Sequence, residues 1–269
     1  MEIITSKSNE KVKFIKSLNE KKFRQKYMCF YLEGIKVVDE VLSSNRAIDI
    51  MFIALSTEIL NNINGGKQCI NKLSSIKNIP KYNIKREIFE SIVDTRTPQG
   101  VLAVIKIKEV NLKKALELND LSDGKKNILL LDKVQDLGNV GTIVRTADAF
   151  GINTILCTQG TADVYSPKVV RSTMGSILRQ NIVYLKTEDL DILKKLDYRI
   201  IGTSLKTNKY INELDFTVKS IFVLGNEANG ISKEIENICD ELVKIKFSGK
   251  AESLNVSIAA GIVMYLQDN

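Results

Sequence analysis

Three short polar segments in the C-terminal half of this 269-residue chain hold the residue types and spacings that could do chemistry. The first is Leu137-Gly138-Asn139-Val140-Gly141, with Arg145 six residues after Asn139. The second is Leu224-Gly225-Asn226-Glu227-Ala228-Asn229-Gly230, and both follow apolar runs suited to buried strands. The third, Leu254-Asn255-Val256-Ser257-Ile258-Ala259-Ala260-Gly261, opens the last helix with polar residues that core packing would not ask for. Asn255 and Ser257 are good N-cap types, and Ile258, Ile262, Val263 and Leu266 repeat at helical spacing. Taken alone, that segment reads as a capped core helix.

The chain has no histidine. A Ser-His-Asp triad, a His-x-x-x-His metalloenzyme and any imidazole general base are therefore excluded. Chemistry must come from carboxylates, lysine, arginine, hydroxyls, backbone dipoles or a bound cofactor. Cys29, Cys69, Cys157 and Cys239 are scattered without a Cys-x-x-Cys pair, so neither a zinc site nor a disulfide framework is expected, and no metal. A Gly-x-Gly-x-x-Gly fingerprint and a Walker A loop are both missing; Gly249-Lys250-Ala251 lacks the preceding glycine and the Ser or Thr.

Around these residues the chain reads as two α/β units. Strands are expected at 128–131, 154–157, 182–185, 200–203, 221–224 and 243–245, with helices near 141–150, 167–179, 188–196, 232–239 and 255–267. Continuous apolar strands separated by helices indicate a parallel sheet covered on both faces. Residues 1–108 mix a basic helix, a strand at 30–34, a strand at 51–55, a helix at 67–76 and a closing strand at 101–105, which suits a small α/β sandwich. Residues 109–126, with the polar run 119–126, are expected to connect the two.

The net charge of +7 is unevenly spread: residues 1–108 carry 19 Lys and Arg against 11 Asp and Glu. Lys7, Lys11, Lys13, Lys16, Lys21, Lys22, Arg24 and Lys26 are the densest basic run, a pattern that attracts phosphate backbones or forms the solvated side of an amphipathic helix. With 44% hydrophobic residues, no membrane-length apolar run and no signal peptide, a cytoplasmic globular protein is expected.

In order and internal spacing, the three polar segments resemble the three motifs of the SpoU (TrmH-like) branch of the SPOUT methyltransferases. The resemblance covers roughly residues 127–269. Ser8 to Lys13, Leu32-Glu33-Gly34 and Thr97-Pro98-Gln99-Gly100 look like the RNA-binding extension that precedes this domain in many members. The resemblance implies an RNA-binding domain over 1–108, a linker over 109–126 and a methyltransferase domain over 127–269. Ordinary chain-connection rules predict an unknotted sheet. The family instead implies a C-terminal trefoil knot, a bent pocket for S-adenosylmethionine, and a homodimer using apolar surfaces on Ile143, Ala147, Ile262 and Tyr265. Transfer of a methyl from a sulfonium suits a chain without histidine, because the leaving thioether is neutral and needs no proton.

The same resemblance implies roles. Gly225, Ile245 and Leu254, with Thr203, are expected to hold the adenosine by main-chain contacts and apolar cover. Arg145 is expected to fork onto the phosphate beside the target ribose and stabilise the forming alkoxide, since a guanidinium stays protonated and is an awkward base. Asn139 and Asn255 are expected to orient Arg145 and substrate, and Glu227 to pair with Arg145 or a backbone amide, or to cap a helix. Lys7, Lys11, Lys13, Lys22, Arg24, Lys168 and Arg171 are expected to touch RNA, and removing residues 1–108 to weaken RNA binding alone. The leading reading is 2′-O-methylation of a ribose in structured RNA, ribosomal (23S) before transfer RNA. A non-catalytic RNA-binding assembly factor and a different α/β nucleotide enzyme are the alternatives.

Overall fold

The computed structural model describes residues 3–121 and 127–268. The chain divides into two compact units, residues 1–108 with 165–178, and residues 109–164 with 179–269. In the first, strands β1 (Ile3–Ile4), β2 (Cys29–Glu33), β3 (Ile50–Leu55), β4 (Lys81–Ile84) and β5 (Val101–Lys106) form one sheet in the order β1-β4-β3-β5-β2. β1, β4 and β3 are parallel, while β5 runs antiparallel to β3 and β2. Helices α1 (Glu10–Ser17), α2 (Lys21–Tyr27), α3 (Ile35–Leu42), α4 (Thr57–Leu60), α5 (Gly66–Ser75) and α6 (Arg86–Ile92) complete the 3–108 part of this unit.

The basic N-terminal stretch, expected as one helix, is two. Asn9 caps α1 by accepting from Lys11 N at 2.9 Å, and α1 buries Val12 and Ile15 with Leu18 at its end against Phe52, Ile84 and Phe89. The chain then turns, and α2 ends at Met28 in the left-handed region. The Leu32-Glu33-Gly34 and 97–100 segments meet: the Glu33 carboxylate accepts from Thr95 Oγ1 and Gln99 N, and Gln99 Oε1 accepts from Ile35 N at 2.9 Å.

The second unit is a six-stranded, all-parallel sheet. Its strands are β6 (Ile128–Leu131), β7 (Thr154–Cys157), β8 (Asn181–Tyr184), β9 (Arg199–Thr203), β10 (Ser220–Leu224) and β11 (Glu241–Val243), in the order β11-β9-β10-β6-β7-β8. Every residue of β6 and β10 is buried, the expected result for continuous apolar strands covered on both faces. The last strand lies two residues earlier than expected, because its ladder pairs Glu241, Leu242 and Val243 with Ile201, Gly202 and Thr203. Helix α7 (Leu112–Leu121) precedes these strands in sequence, and α8 (Leu137–Ala149), α9 (Pro167–Ser172), α10 (Asp189–Leu193), α11 (Lys233–Glu236) and α12 (Val256–Asp268) fall between or after them.

Three expectations are corrected here. Residues 112–121, placed in a linker, form α7, whose Leu112, Ala115 and Leu116 join Leu130 and Leu156 in the core of the second unit. Their three- and four-residue spacing is a helical stripe that the surrounding charges obscured; the rest of the polar run, 122–126, lies outside the described residues. Ile143 and Ala147, expected on a dimer surface, are fully buried within this unit. The segment 165–178, α9 included, belongs to the first unit: Tyr165 stands against Phe30 with ring centroids 5.1 Å apart, and Arg171 Nη2 reaches Asp94 at 3.3 Å. Deleting residues 1–108 would therefore strip the cover from 165–178, so substitution and not truncation is the clean test of the basic unit. Among the described residues no helix is long and apolar enough to cross a membrane.

Candidate active site

Strands β6, β7 and β8 lie to one side of the β6/β10 boundary, and β10, β9 and β11 to the other. That boundary is a topological switch point, where loops leaving neighbouring carboxyl ends diverge and open a crevice. The loops after β6 and β10 carry the first two polar segments. Asp132, at the end of β6, is fully buried; it accepts from Thr158 Oγ1 at 2.8 Å and from Ser232 N at 2.6 Å. It thereby ties the ends of three loops together. Sequence reasoning missed it, although a lone acid closing an apolar strand was the available signal.

The loop after β10 folds on itself. Asn226 and Gly230 exchange two main-chain hydrogen bonds of 2.9 Å, Asn226 Oδ1 accepts from Ala228 N and Asn229 N at 3.0 Å, and its Nδ2 donates to Lys133 O at 2.9 Å. A Cβ on Gly225 would lie 2.3 Å from Gly230 C and 2.4 Å from Ile231 N. The close approach that makes glycine necessary at 225 is thus made by the loop's own backbone.

Glu227 is held by the β6 loop. Its Oε1 accepts from Asn139 Nδ2 at 3.0 Å and Asp136 N at 3.1 Å, and its Oε2 from Gln135 N at 3.2 Å. Asn139 Oδ1 in turn accepts from Asn255 Nδ2 at 3.0 Å, and Asn255 Oδ1 accepts from Ser257 N at 2.9 Å and Ser257 Oγ at 2.6 Å. A carboxylate can only accept, so the Asn139 amide must turn its NH₂ to Glu227 and its oxygen to Asn255. Three segments far apart in sequence are joined by one unidirectional chain of donors. Asn255 also caps α12, whereas the cap of α8 is Asp136, which accepts from Asn139 N at 2.8 Å.

Burial pushes the Glu227 carboxyl up, but the hydrogen bonds from Asn139 and from the amides of Gln135 and Asp136 outweigh it and hold the group below its ordinary range. It is ionised at neutral pH. Because the folded-state value is depressed, the stability it contributes is complete above the ordinary carboxylate range and is lost as pH falls through the lower, folded value. Glu227→Gln should abolish that segment of the acid-unfolding profile while leaving the profile's shape above the ordinary carboxylate range unchanged; equal pH dependence in both proteins would refute this.

Arg145 stands apart from this chain. It is exposed on α8 and, among the described residues, has no hydrogen-bond or ion-pair partner. Six residues along a helix advance about 9 Å and leave the two side chains roughly 120° apart about the axis. Glu227 therefore binds Asn139 and two amides, not Arg145, and the two asparagines hold each other in place of the guanidinium.

Beside β10, Thr203 ends β9 and donates its hydroxyl to Val223 O at 2.8 Å. Ile245 and Leu254 are both half-buried at the ends of the segment that follows β11. Among the described residues, the main chain of 245–254 makes no hydrogen bond to any other main-chain group. Such a stretch, beginning just past the carboxyl end of β11 and flanked by two aliphatic side chains, offers N–H and C=O groups to the polar edge of a base and apolar cover to its faces. It fits an adenosine.

The family model for the SpoU rRNA methylase family matches residues 126–265, and one for an MRM3-like substrate binding domain matches residues 9–103. A 23S rRNA (guanosine(2553)-2′-O)-methyltransferase, RlmP of Bacillus subtilis, is 32% identical, with 98% of each chain covered. The chain belongs to the SpoU rRNA methylase family. This SpoU methylase is also similar to two solved structures. An AdoMet-bound rRNA methyltransferase from Sinorhizobium meliloti superposes with a TM-score of 0.83 at 27% identity, over 99% of this chain and 97% of the other. A putative RNA methyltransferase of the TrmH family from Porphyromonas gingivalis gives 0.79 at 31% identity, over 97% of each. The protein is an S-adenosylmethionine-dependent RNA methyltransferase.

In the first unit of the SpoU methylase, Lys7 and Lys13 are exposed. Lys11 Nζ stands 5.4 Å over the rings of both Phe52 and Tyr82, and Lys22 pairs with Glu20 at 2.8 Å. Arg24, expected on the RNA-binding face, is only 3% exposed and donates from Nη1 to Leu18 O at 2.6 Å, so it is structural. Lys168 is exposed on α9, and Arg171 divides its guanidinium between Asp94 and a buried Nη1 with no protein partner.

Proposed function

We propose that this methylase 2′-O-methylates a ribose of structured RNA, with 23S ribosomal RNA as the substrate, and that it acts in the cytoplasm. The observation that carries the reading is the Asn255–Asn139–Glu227 chain, which clamps the three polar segments at the switch point, while Arg145 on α8 has no hydrogen-bond or ion-pair partner among the described residues. S-adenosylmethionine, when bound, supplies an electrophilic methyl on a sulfonium whose leaving group is a neutral thioether. Ile245, Leu254 and the main chain between them hold its adenosine, with Thr203 and the Gly225 loop at the adjoining strand ends.

Arg145 grips the phosphate next to the target ribose and stabilises negative charge growing on the 2′-oxygen, a task for a planar two-point donor that stays protonated. Glu227, ionised and already accepting three hydrogen bonds, is a positioning residue and not the base; the hydroxyl proton passes to solvent as the oxygen attacks. The segment returning from edge strand β11 to α12, which packs on α8, is the stretch that would thread a knot. Homodimerisation would use α12, where Ile258 and Tyr265 are 55% and 58% exposed with Ile262 between them.

Mass mapping of ribosomal and transfer RNA from cells with and without the protein tests the substrate. One ribose methyl on 23S rRNA, resistant to alkaline cleavage at that linkage, should disappear with the protein. A missing base methyl, or a missing methyl in tRNA alone, would refute the assignment. Replacing Lys7, Lys13 and Lys22 together by Gln should weaken RNA binding and reduce the slope of log affinity against log salt by roughly 0.7–0.9 for each phosphate that is no longer neutralised, with cofactor affinity unchanged by calorimetry. An unchanged slope would take these lysines out of the RNA interface.

A further inference from the structure

Helix α2 has the opposite sidedness from an ordinary surface helix. It buries its guanidinium, Arg24, on the carbonyl of Leu18. Its two rings face outward: Phe23 is half-buried, Tyr27 is 40% exposed, and neither belongs to the apolar cluster that packs under the first sheet. Hydrophobic burial favours the reverse arrangement, because a buried guanidinium has lost its hydration and an exposed ring gains nothing from the core. Phe23 and Tyr27 lie four residues apart, nearly parallel at 10° with centroids 6.1 Å apart.

From Tyr27 the rings lead back toward the core, where Phe52 is buried. Phe14 stands 5.0 Å from Tyr27 and 6.1 Å from Phe52, and Tyr82 stands 5.4 Å from Phe52. Lysines are interleaved with them: Lys22 lies 4.9 Å from the Phe23 centroid, Lys26 5.4 Å from that of Tyr27, and Lys11 reaches Phe52 and Tyr82. At the accessible end, the half-buried Phe23 and the exposed Tyr27 set beside Lys22 and Lys26 suit a ligand that has both flat apolar faces and a repeating negative charge. Unpaired nucleotides have both, and a paired duplex hides its base faces.

We propose that Phe23 and Tyr27, with Lys22 and Lys26, form a stacking platform for unpaired nucleotides of the RNA substrate. The proposal rests on the reading of the first unit as RNA-binding. The rings supply stacking, which salt hardly affects, and the lysines supply the salt-dependent phosphate attraction.

The test uses the full chain and a short unpaired oligoribonucleotide carrying 2-aminopurine, beside a duplex of equal length. Wild-type protein should bind the unpaired strand in preference to the duplex and quench the probe by stacking. Phe23→Leu with Tyr27→Leu should weaken binding by about tenfold or more for each ring engaged, abolish the quenching and leave the salt slope unchanged. Lys22→Gln with Lys26→Gln should lower the slope and retain quenching. Tyr27→Leu alone, at an exposed position, supplies the answer if the double variant does not fold. Affinity and quenching within about twofold of wild type in the leucine variants overturn the platform. Preference for the duplex overturns stacking but leaves the methyltransferase reading standing, whereas binding of neither RNA removes both the platform and the RNA role of this unit.

Discussion

Arg145→Ala is expected to bind S-adenosylmethionine as wild type does and to lose methyl transfer by about 10²-fold or more, the scale on which a preorganised charge-stabilising donor counts. The residue is exposed and makes no hydrogen bond or ion pair among the described residues, so its removal leaves the fold's hydrogen bonding intact and the effect is a measure of chemistry. Arg145→Lys should recover little, since an ammonium restores the charge but not the planar fork proposed to span phosphate and 2′-oxygen. The loss should fall on kcat, with cofactor affinity by calorimetry unchanged. Near-normal turnover in the alanine variant would show that the guanidinium has no part in the reaction.

Gly225→Val is expected to destabilise the protein as well as abolish cofactor binding. The new Cβ would meet Gly230 C and Ile231 N at 2.3 and 2.4 Å, against backbone that cannot turn aside as a side chain end would. The Asn226–Gly230 bridge and the Ser232 amide on Asp132 would have to move, and with them Glu227. Overpacking of this kind costs about 1–3 kcal/mol and lowers the melting temperature by several degrees. By sequence alone the same substitution is a plug in a ligand pocket that leaves the fold untouched. A variant of wild-type stability that has lost only cofactor binding would restore that reading.

The strands of the second unit were legible because a parallel sheet buried on both faces demands uninterrupted apolar runs, and 128–131, 154–157 and 221–224 are such runs. The polar residues that matter were legible as residues, since amides, an acid and an arginine in the segments that follow the strands have no place in a core. Their partners were not. The family resemblance assigns Asn139 to Arg145, yet its amide serves Glu227 and Asn255, which lie 88 and 116 residues away in sequence. Likewise Arg24 counts toward the basic surface by composition, and only packing shows it buried on Leu18 O.

Sequence alone determined the fold class, the absence of imidazole chemistry, the basic bias of residues 1–108 and the three segments that belong to the SpoU rRNA methylase family. The first three follow from residue type and local period, which neighbours along the chain decide; the last rests on the resemblance of the segments to the family's motifs. Tertiary structure decided that 165–178 belongs with the first unit, that α7 belongs to the core of the second, that Asp132 ties three loops together, and that Glu227 anchors a donor chain that does not include Arg145. These depend on which strand ends lie side by side. Hydrogen bonds reach only about 3 Å, so their partners are set by sheet order and not by spacing along the chain.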